Sequence, residues 1–353
     1  MSLNLLQMVS LTCLIFLVLI LPMTTKKIEE NLELFLFFCG ILAVSISKMW
    51  TIPLIEESFV APIKIAVAVL IAGFLFKIFH SHFQTLIQKT VMKFGFKLSV
   101  FLTIIILGVF SSVITAIISA LILSQIATAL PMPRKERIRF IVLSCYAIGL
   151  GAVLTAIGEP LGTIVLSKLS GAPHYANFSF LVNHFGIYIF AGVMVSALWA
   201  VLPKHRNKKT NIDVAAEEIV DENCSNKEVI LRAGKVYLFV MALVLLGDGL
   251  KPLAYKTIVQ MHYSILYWIN MVSAILDNAT LAAIEITPEI SIKTLKFLLM
   301  GLIISGGMLI PGNIPNIICA SKLKIKSKEW AKTALPFGFT LMMVYFIVLF
   351  IFE

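Results

Sequence analysis

In a chain of 353 residues, 59% apolar and 14% charged, two short segments set oxygen-bearing side chains among apolar neighbours. Glu159 lies in Gly149-Leu-Gly151-Ala-Val-Leu-Thr-Ala-Ile-Gly158-Glu159-Pro160-Leu-Gly162-Thr163, and Asp277 lies in Ser273-Ala-Ile-Leu-Asp277-Asn278-Ala-Thr280. Carboxylate, amide and hydroxyl oxygens together suit a hard cation such as Na⁺, and a lone carboxylate suits a cation or a proton. Each segment also has a plainer reading. Glu159 would be an interfacial glutamate in a Gly-Pro turn, and Asp277 with Asn278 would cap the start of a helix. A charge deep among apolar groups is expensive, which keeps the binding reading open for both.

The other ionisable groups in apolar stretches read as structural. Asp248 precedes Lys251 by three residues, a spacing that permits an ion pair on one helix face. Glu285 and Glu289 read as outer-interface residues, and Glu33 and Lys64 lie near block ends, where they can snorkel. His184, alone in an apolar stretch, reads as a packing residue. Trp50, Tyr175, Tyr263, Tyr267, Trp268 and Trp330 read as an interfacial belt. The cysteines at 13, 39, 145, 224 and 319 show no zinc-site spacing, so neither disulfides nor bound transition metals are expected. No HExxH or Gly-x-Ser-x-Gly string occurs, which argues against an intramembrane hydrolase.

The elements that must position these residues are apolar blocks of membrane-spanning length. Apolar content this high and charge this low exclude an ordinary soluble domain. The mean hydropathy of +0.97 agrees. Blocks at 3–22, 32–48, 59–79, 138–167, 178–202, 233–253, 295–321 and 334–352 each suit an about 30 Å hydrocarbon layer. The first, with no basic n-region and no cleavage site after it, reads as a retained span. Residues 98–130 would make one helix of about 50 Å, too long for a single crossing and too short for two with a turn. A re-entrant hairpin of two short arms resolves this, its tip near Ser111, Ser112, Thr115 and Ser119. Residues 257–287 form a second such candidate, with the Ser273–Thr280 segment at its turn.

The net charge of +10 reads as loop charge facing anionic lipid and not as a nucleic-acid surface. With both hairpins returning to the side they leave, most of the 29 Lys and Arg residues fall on one face, as the positive-inside tendency requires. That face carries the clusters 26–27, 77–97, 134–139, 204–235 and 322–332. The chain then divides into two N-terminal helices (1–58), a first repeat of span, inner hairpin, broken span and span (59–202), a charged cytoplasmic loop (203–232) and a second repeat in inverted orientation (233–353). Thr115-Ala-Ile-Ile-Ser119 echoes Ser273-Ala-Ile-Leu-Asp277. Gly158-Glu159 followed by Ser167-Lys-Leu169 echoes Gly312-Asn313 followed by Ser321-Lys-Leu323. The second break, Gly306-Gly307-Met-Leu-Ile-Pro311-Gly312-Asn313-Ile-Pro315-Asn316, matches the first in density of helix-breaking residues. The fold class is thus an all-α polytopic membrane protein, an inverted-topology repeat with two re-entrant hairpins and two broken transmembrane helices.

A turn reading SAILDNATLAA, a broken span reading GGMLIPGNIPN and a weaker upstream copy of both resemble the ion transporter superfamily. That superfamily includes NhaD-type sodium/proton antiporters, arsenite permeases and sodium-coupled dicarboxylate carriers, and within it the chain is most similar to a compact group of uncharacterised predicted cation transporters. The resemblance covers about residues 59–352. It implies alternating access, usually in a dimer, with cation and substrate sites at the tips and breaks. By that resemblance Ser273, Asp277, Asn278 and Thr280 belong to the second tip, and Gly312, Asn313 and Asn316 to the second break. Thr115 and Ser119 belong to the first tip, and Glu159, Gly162 and Thr163 to the first break. Na⁺ is expected at Asp277, Asn278 and Asn313. Where the superfamily's first tip has an Asp-Asn pair, this chain has Ser119-Ala120, so the first site either takes its charge from Glu159 or binds no cation.

Two functions follow. One is a Na⁺/H⁺ antiporter of a prokaryotic plasma membrane, with Na⁺ and H⁺ as transported ions, no resident cofactor, no nucleic acid, and lipid and a second copy as the expected partners. The alternative is a Na⁺-coupled carrier of a small anion such as a dicarboxylate or arsenite. The absence of Lys or Arg near either break tilts the reading to the antiporter. A channel stays open, because broken helices also line pores.

Overall fold

Helices run through the apolar blocks, with Pro22, Pro252 and Pro336 inside them, and break at 153–159 and 307–313, stretches that hold or adjoin glycine and proline. The computed structural model describes residues 4–25, 27–28, 31–63, 66–67, 70–71, 74, 95–130, 132–202, 226–258, 261–276 and 278–353. In chain order the helices are α1 (Leu5–Thr24), α2 (Leu32–Ser47), α3 (Phe96–Ile114), α4 (Ala116–Ala129), α5 (Arg134–Ala152), α6 (Pro160–Lys168) and α7 (Phe180–Val201). Then follow α8 (Asn226–Ile258), α9 (Tyr263–Ile269), α10 (Asn278–Glu285), α11 (Ile292–Gly306), α12 (Ile314–Lys322) and α13 (Ser327–Phe352). Residues 52–63 are also helical, and 3₁₀ turns cover Asn270–Ala274 and Ile310–Gly312. No strand occurs among the described residues.

Five helices among the described residues are long and apolar enough to cross a membrane: Leu5–Pro22, Phe96–Ile114, Phe180–Val201, Val229–Leu253 and Ser327–Phe352. The expected interruptions of 98–130, 138–167 and 295–321 are all present. Two boundaries differ from expectation. α3 alone is 19 residues, longer than a short hairpin arm. α8 begins at Asn226, so the end of the expected 203–232 loop is helical. Most of the expected 59–79 span, Lys64, residues 203–225 and Asp277 lie outside the described residues.

The division at Thr115 is sharp, with φ 74° on a β-branched residue, a region such side chains seldom enter. Two hydrogen bonds hold it. The Thr115 hydroxyl oxygen accepts from the Ile118 amide at 3.3 Å, and the Ala116 amide donates to the Gly158 carbonyl at 2.9 Å.

α5 and α11 form the centre. Residues 140–153 and 297–313 are buried without interruption, the pattern of helices that are apolar all round. Small residues bring helices close where lipid supplies no hydrophobic drive between them. A Cβ on Gly151 would lie 1.7 Å from the Gly108 carbonyl oxygen, so α3 and α5 touch backbone to backbone. α2 seats Ala43 against Gly249 of α8, and the Lys235–Glu33 ion pair at 2.7 Å joins these helices near the start of α2. The outer helices α7 and α13 leave Ile187, Phe190, Ile347 and Phe350 exposed, an apolar surface that suits acyl chains.

Tyr267 and Trp330 depart from the expected interfacial belt, because both are fully enclosed. Each has a backbone acceptor inside the bundle, which is what admits an amphipathic ring to a core. The Tyr267 hydroxyl donates to the Met342 carbonyl at 2.7 Å, and the Trp330 indole to the Gly307 carbonyl at 3.2 Å. Asp248 and Lys251 do pair, at 3.5 Å, and His184 Nδ1 bonds the Phe180 carbonyl one turn back at 2.9 Å.

Candidate functional site

At the first interruption, the chain leaves α5 after Ala152 and restarts at Pro160. Proline at the first helical position needs no amide partner and pushes the preceding residue into extended backbone. Glu159 accordingly has φ −157° and ψ 163°. The intervening loop folds tightly on itself. A Cβ on Gly158 would lie 2.0 Å from the Ala152 carbonyl oxygen, and one on Gly162 would lie 2.4 Å from that of Thr155. The Thr155 hydroxyl oxygen accepts from the Ile157 and Gly158 amides at 3.1 and 3.3 Å, replacing lost helical bonds. Glu159 is only 8% exposed, whereas Thr163 is exposed and gives its hydroxyl to the Ala156 carbonyl at 2.8 Å. Through the Ala116–Gly158 bond, the Thr115 turn rests directly beside Glu159. Ser119 is fully buried, and its hydroxyl oxygen has no hydrogen-bond partner.

The second interruption repeats this backbone in a more enclosed setting. Asn313 precedes α12 with φ −155° and ψ 146°, and Pro315 lies in the first turn. Asn316 Nδ2 donates to the Gly306 and Leu309 carbonyls, both at 2.9 Å, satisfying oxygens that the break frees. Its Oδ1 is buried without a partner. The Ser273 turn abuts this break. The ideal Cβ position on Gly312 lies 2.5 Å from the Gly306 carbonyl oxygen and 2.9 Å from those of Ser273 and Ala274. Ser273 also donates its hydroxyl to the Leu302 carbonyl at 3.2 Å. Asn278, at the start of α10, is 4% exposed, and its Nδ2 has no partner. α10 includes Thr280.

The second interruption reaches the helix that leads into the first. Asn313 Nδ2 lies 2.7 Å from where a Cβ on Gly149 would stand, so the second break reaches onto α5. Tyr146, also on α5, packs its ring where a Gly307 side chain would otherwise be. α4 packs on α12, with the Cys319 thiol 3.5 Å from the Ala120 carbonyl, and α6 packs on α10, with Lys168 Nζ 2.8 Å from the Ala283 carbonyl. The structure therefore joins Thr115 to Glu159, and Ser273 to Gly312, Asn313 and Asn316. Thr163 is exposed, with its hydroxyl bonded back to the first-break loop at Ala156.

The sequence reading missed the pair Asn270 and Glu285. Glu285, expected at an interface, is 7% exposed, and Asn270 is fully buried. Asn270 Nδ2 donates to Glu285 Oε2 at 2.9 Å. The residues are 15 apart in sequence and meet only because the intervening segment turns back. Glu285 lies seven residues after Asn278, two turns along the same helix face, and that spacing was the available signal.

A cavity of about 350 Å³ adjoins the second break between α2, α8 and α12, lined among others by Glu33, Lys235, Ile310, Ile317, Lys324 and Lys326. At the opposite end of α11, Glu353 accepts from Lys296 at 2.5 Å and from the Tyr188 hydroxyl at 2.7 Å. Burial pushes its carboxyl up, but these hydrogen bonds outweigh that and hold it below the usual carboxylate range.

A family model described as protein of unknown function, DUF1646, matches residues 8–352. No curated protein matches the chain.

Proposed function

The chain belongs to the DUF1646 family, described as of unknown function, over nearly its whole length, and from the geometry of its second break we propose that it is a secondary active transporter that exchanges Na⁺ for H⁺ by alternating access. One observation carries this reading: the carbonyl oxygens of Ser273, Ala274 and Gly306 converge on Gly312, and Asn316, whose Nδ2 donates to the Gly306 carbonyl, keeps a buried amide oxygen without a partner. Freed carbonyls and amide oxygens inside an apolar bundle are the ligands a dehydrated Na⁺ takes in transporters built on broken helices. Asp277 and Asn278, next along the chain, would complete the shell, with Asn313 at its edge. Glu159 would supply charge at the first interruption.

In this reading α3–α4 and α9–α10 are re-entrant hairpins, and 59–202 and 233–353 are inverted repeats. The cross-pairing of α4 with α12 and α6 with α10 supports that relation, since each hairpin arm packs on the broken helix of the other half. The basic clusters face the cytoplasm, and the cavity beside Ile310 is the cytoplasmic approach to the second break. A second reading, Na⁺-coupled carriage of a small anion, is favoured by the cavity wall, where Lys235, Lys324 and Lys326 outnumber Glu33.

Proton movement in proteoliposomes with an acidic interior tests the proposal. On adding Na⁺, Li⁺ or K⁺ outside, the antiporter alkalinises the interior with cation selectivity, and Asp277→Asn abolishes this. No response to any cation from correctly inserted protein overturns the exchange and directs attention to Na⁺-driven anion uptake.

A further inference from the structure

Asn270 and Glu285 tie the two arms of one turn together, Asn270 before Ser273 and Glu285 at the end of α10. Only one hydrogen bond joins them, from Asn270 Nδ2 to Glu285 Oε2. That leaves two oxygens, Asn270 Oδ1 and Glu285 Oε1, buried without a partner. Buried acceptors with no donor are unfavourable, and an enclosed carboxylate with no counter-charge is more so.

Among the described residues, no neighbouring cation relieves that carboxylate. On α6, Lys168 bonds the Ala283 carbonyl at 2.8 Å. On α8, Asp248 and Lys251 hold each other at 3.5 Å. On α11, Lys296 bonds Glu353 at 2.5 Å, and Lys293 stands 4.9 Å over the Tyr263 ring. Among the described residues, the amide of Asn270 is the polar contact Glu285 has.

We propose that Asn270 and Glu285 form a buried proton-binding site, separate from the oxygens around Gly312, in which Glu285 carries one exchangeable proton. A carboxylic acid and a primary amide complement each other. The acid O–H donates to the amide oxygen while the amide N–H donates to the acid carbonyl, so one proton satisfies both orphaned oxygens and removes the charge. On release the proton passes from the Glu285 carboxyl to water, leaving a carboxylate held by the Asn270 amide alone. The site lies close to the second break. Ser305, the residue before Gly306, donates its hydroxyl to the Asn270 carbonyl at 2.7 Å, so loosening the pair acts one residue from the carbonyl cluster. The use of this proton in transport rests on the antiport reading, but its presence does not.

Infrared spectra of the purified full chain, recorded without Na⁺ and without a gradient, test the site. Near neutral pH the wild type shows the carbonyl stretch of a protonated carboxylic acid. This band disappears on raising the pH, and its loss is reproduced by Glu285→Gln, an isosteric change that keeps the hydrogen bonding to Asn270. Spectra identical in wild type and variant overturn the proposal, as does a wild-type spectrum with no such band, whichever way the flux assay turns out. In vesicles, Glu285→Gln loses Na⁺-driven proton movement while the purified variant still binds radioactive Na⁺. Loss of Na⁺ binding in that variant, with the protonated band unchanged, would make Glu285 a cation ligand and sink the proton assignment.

Discussion

Glu159 and Asn313 stand in the same local design. Each has extended backbone, each precedes a helix with proline in its first turn, and each helix runs nine residues to a lysine, Lys168 or Lys322. Neither side chain caps the helix it precedes. Around them the settings differ. At the first break Ile157 is 54% exposed and Thr163 is exposed too, while the second is buried throughout, plugged by Asn316 and capped by Trp330. The difference teaches a division of labour. A carboxylate can gain or lose charge and an amide cannot, so the first break is suited to respond to protons or cations and the second to hold a fixed array of oxygens.

The largest effect is expected from Gly312→Ala. Its Cβ would press on backbone oxygens of Gly306, Ser273 and Ala274 that cannot swing aside. Overpacking of this kind destabilises by about 1–3 kcal/mol. Gly162→Ala, whose Cβ would meet the Thr155 carbonyl, should lose comparable thermal stability. Stabilisation by added Na⁺ in a melting assay should vanish only for Gly312→Ala, and its loss in both variants would erase the distinction between the breaks. Next in size is a charge exchange. Glu159→Gln should flatten the pH dependence of transport while Na⁺ binding persists, and Asn313→Ala should do the reverse.

Gly149→Ala probes the contact between the halves. Its Cβ would lie 2.7 Å from Asn313 Nδ2, the far end of a side chain that can shift. We expect weaker Na⁺ affinity with a stability loss below about 1 kcal/mol. Gly171→Ala, with open space around it, is the control that should change neither. Trp330→Phe removes the bond to Gly307 and should lower stability by about 1 kcal/mol, measured by denaturant unfolding. Smallest is the Glu353 contact at the far end of α11. Because its carboxyl is held below the ordinary value, its stabilisation is present above the unfolded carboxylate range and fades as the pH falls through the lowered one. Lys296→Met should shrink that acid dependence of the melting temperature.

Much of this arrangement was legible in the sequence, for local reasons. Proline and glycine mark both interruptions, because they act through their own backbone, and Thr115 falls inside the polar stretch expected to turn. The Asp248–Lys251 pair was legible from spacing alone. What escaped depends on contacts between distant segments. Tyr267 and Trp330 look like belt residues until Met342 and Gly307 offer them acceptors. Glu285 looks interfacial until the turn folds Asn270 against it. The reach of Asn313 onto Gly149 joins residues from opposite halves, and no pattern within either half foretells it.

The central claim is that the chain exchanges Na⁺ for H⁺, with Na⁺ held by groups at the second turn and break. Proton release on adding Na⁺ to weakly buffered, detergent-purified protein tests it most directly. The account predicts saturable, Na⁺-specific acidification in the wild type that is lost in Asp277→Asn, while Gly171→Ala behaves as wild type. Na⁺ binding with no proton released at any pH would contradict it.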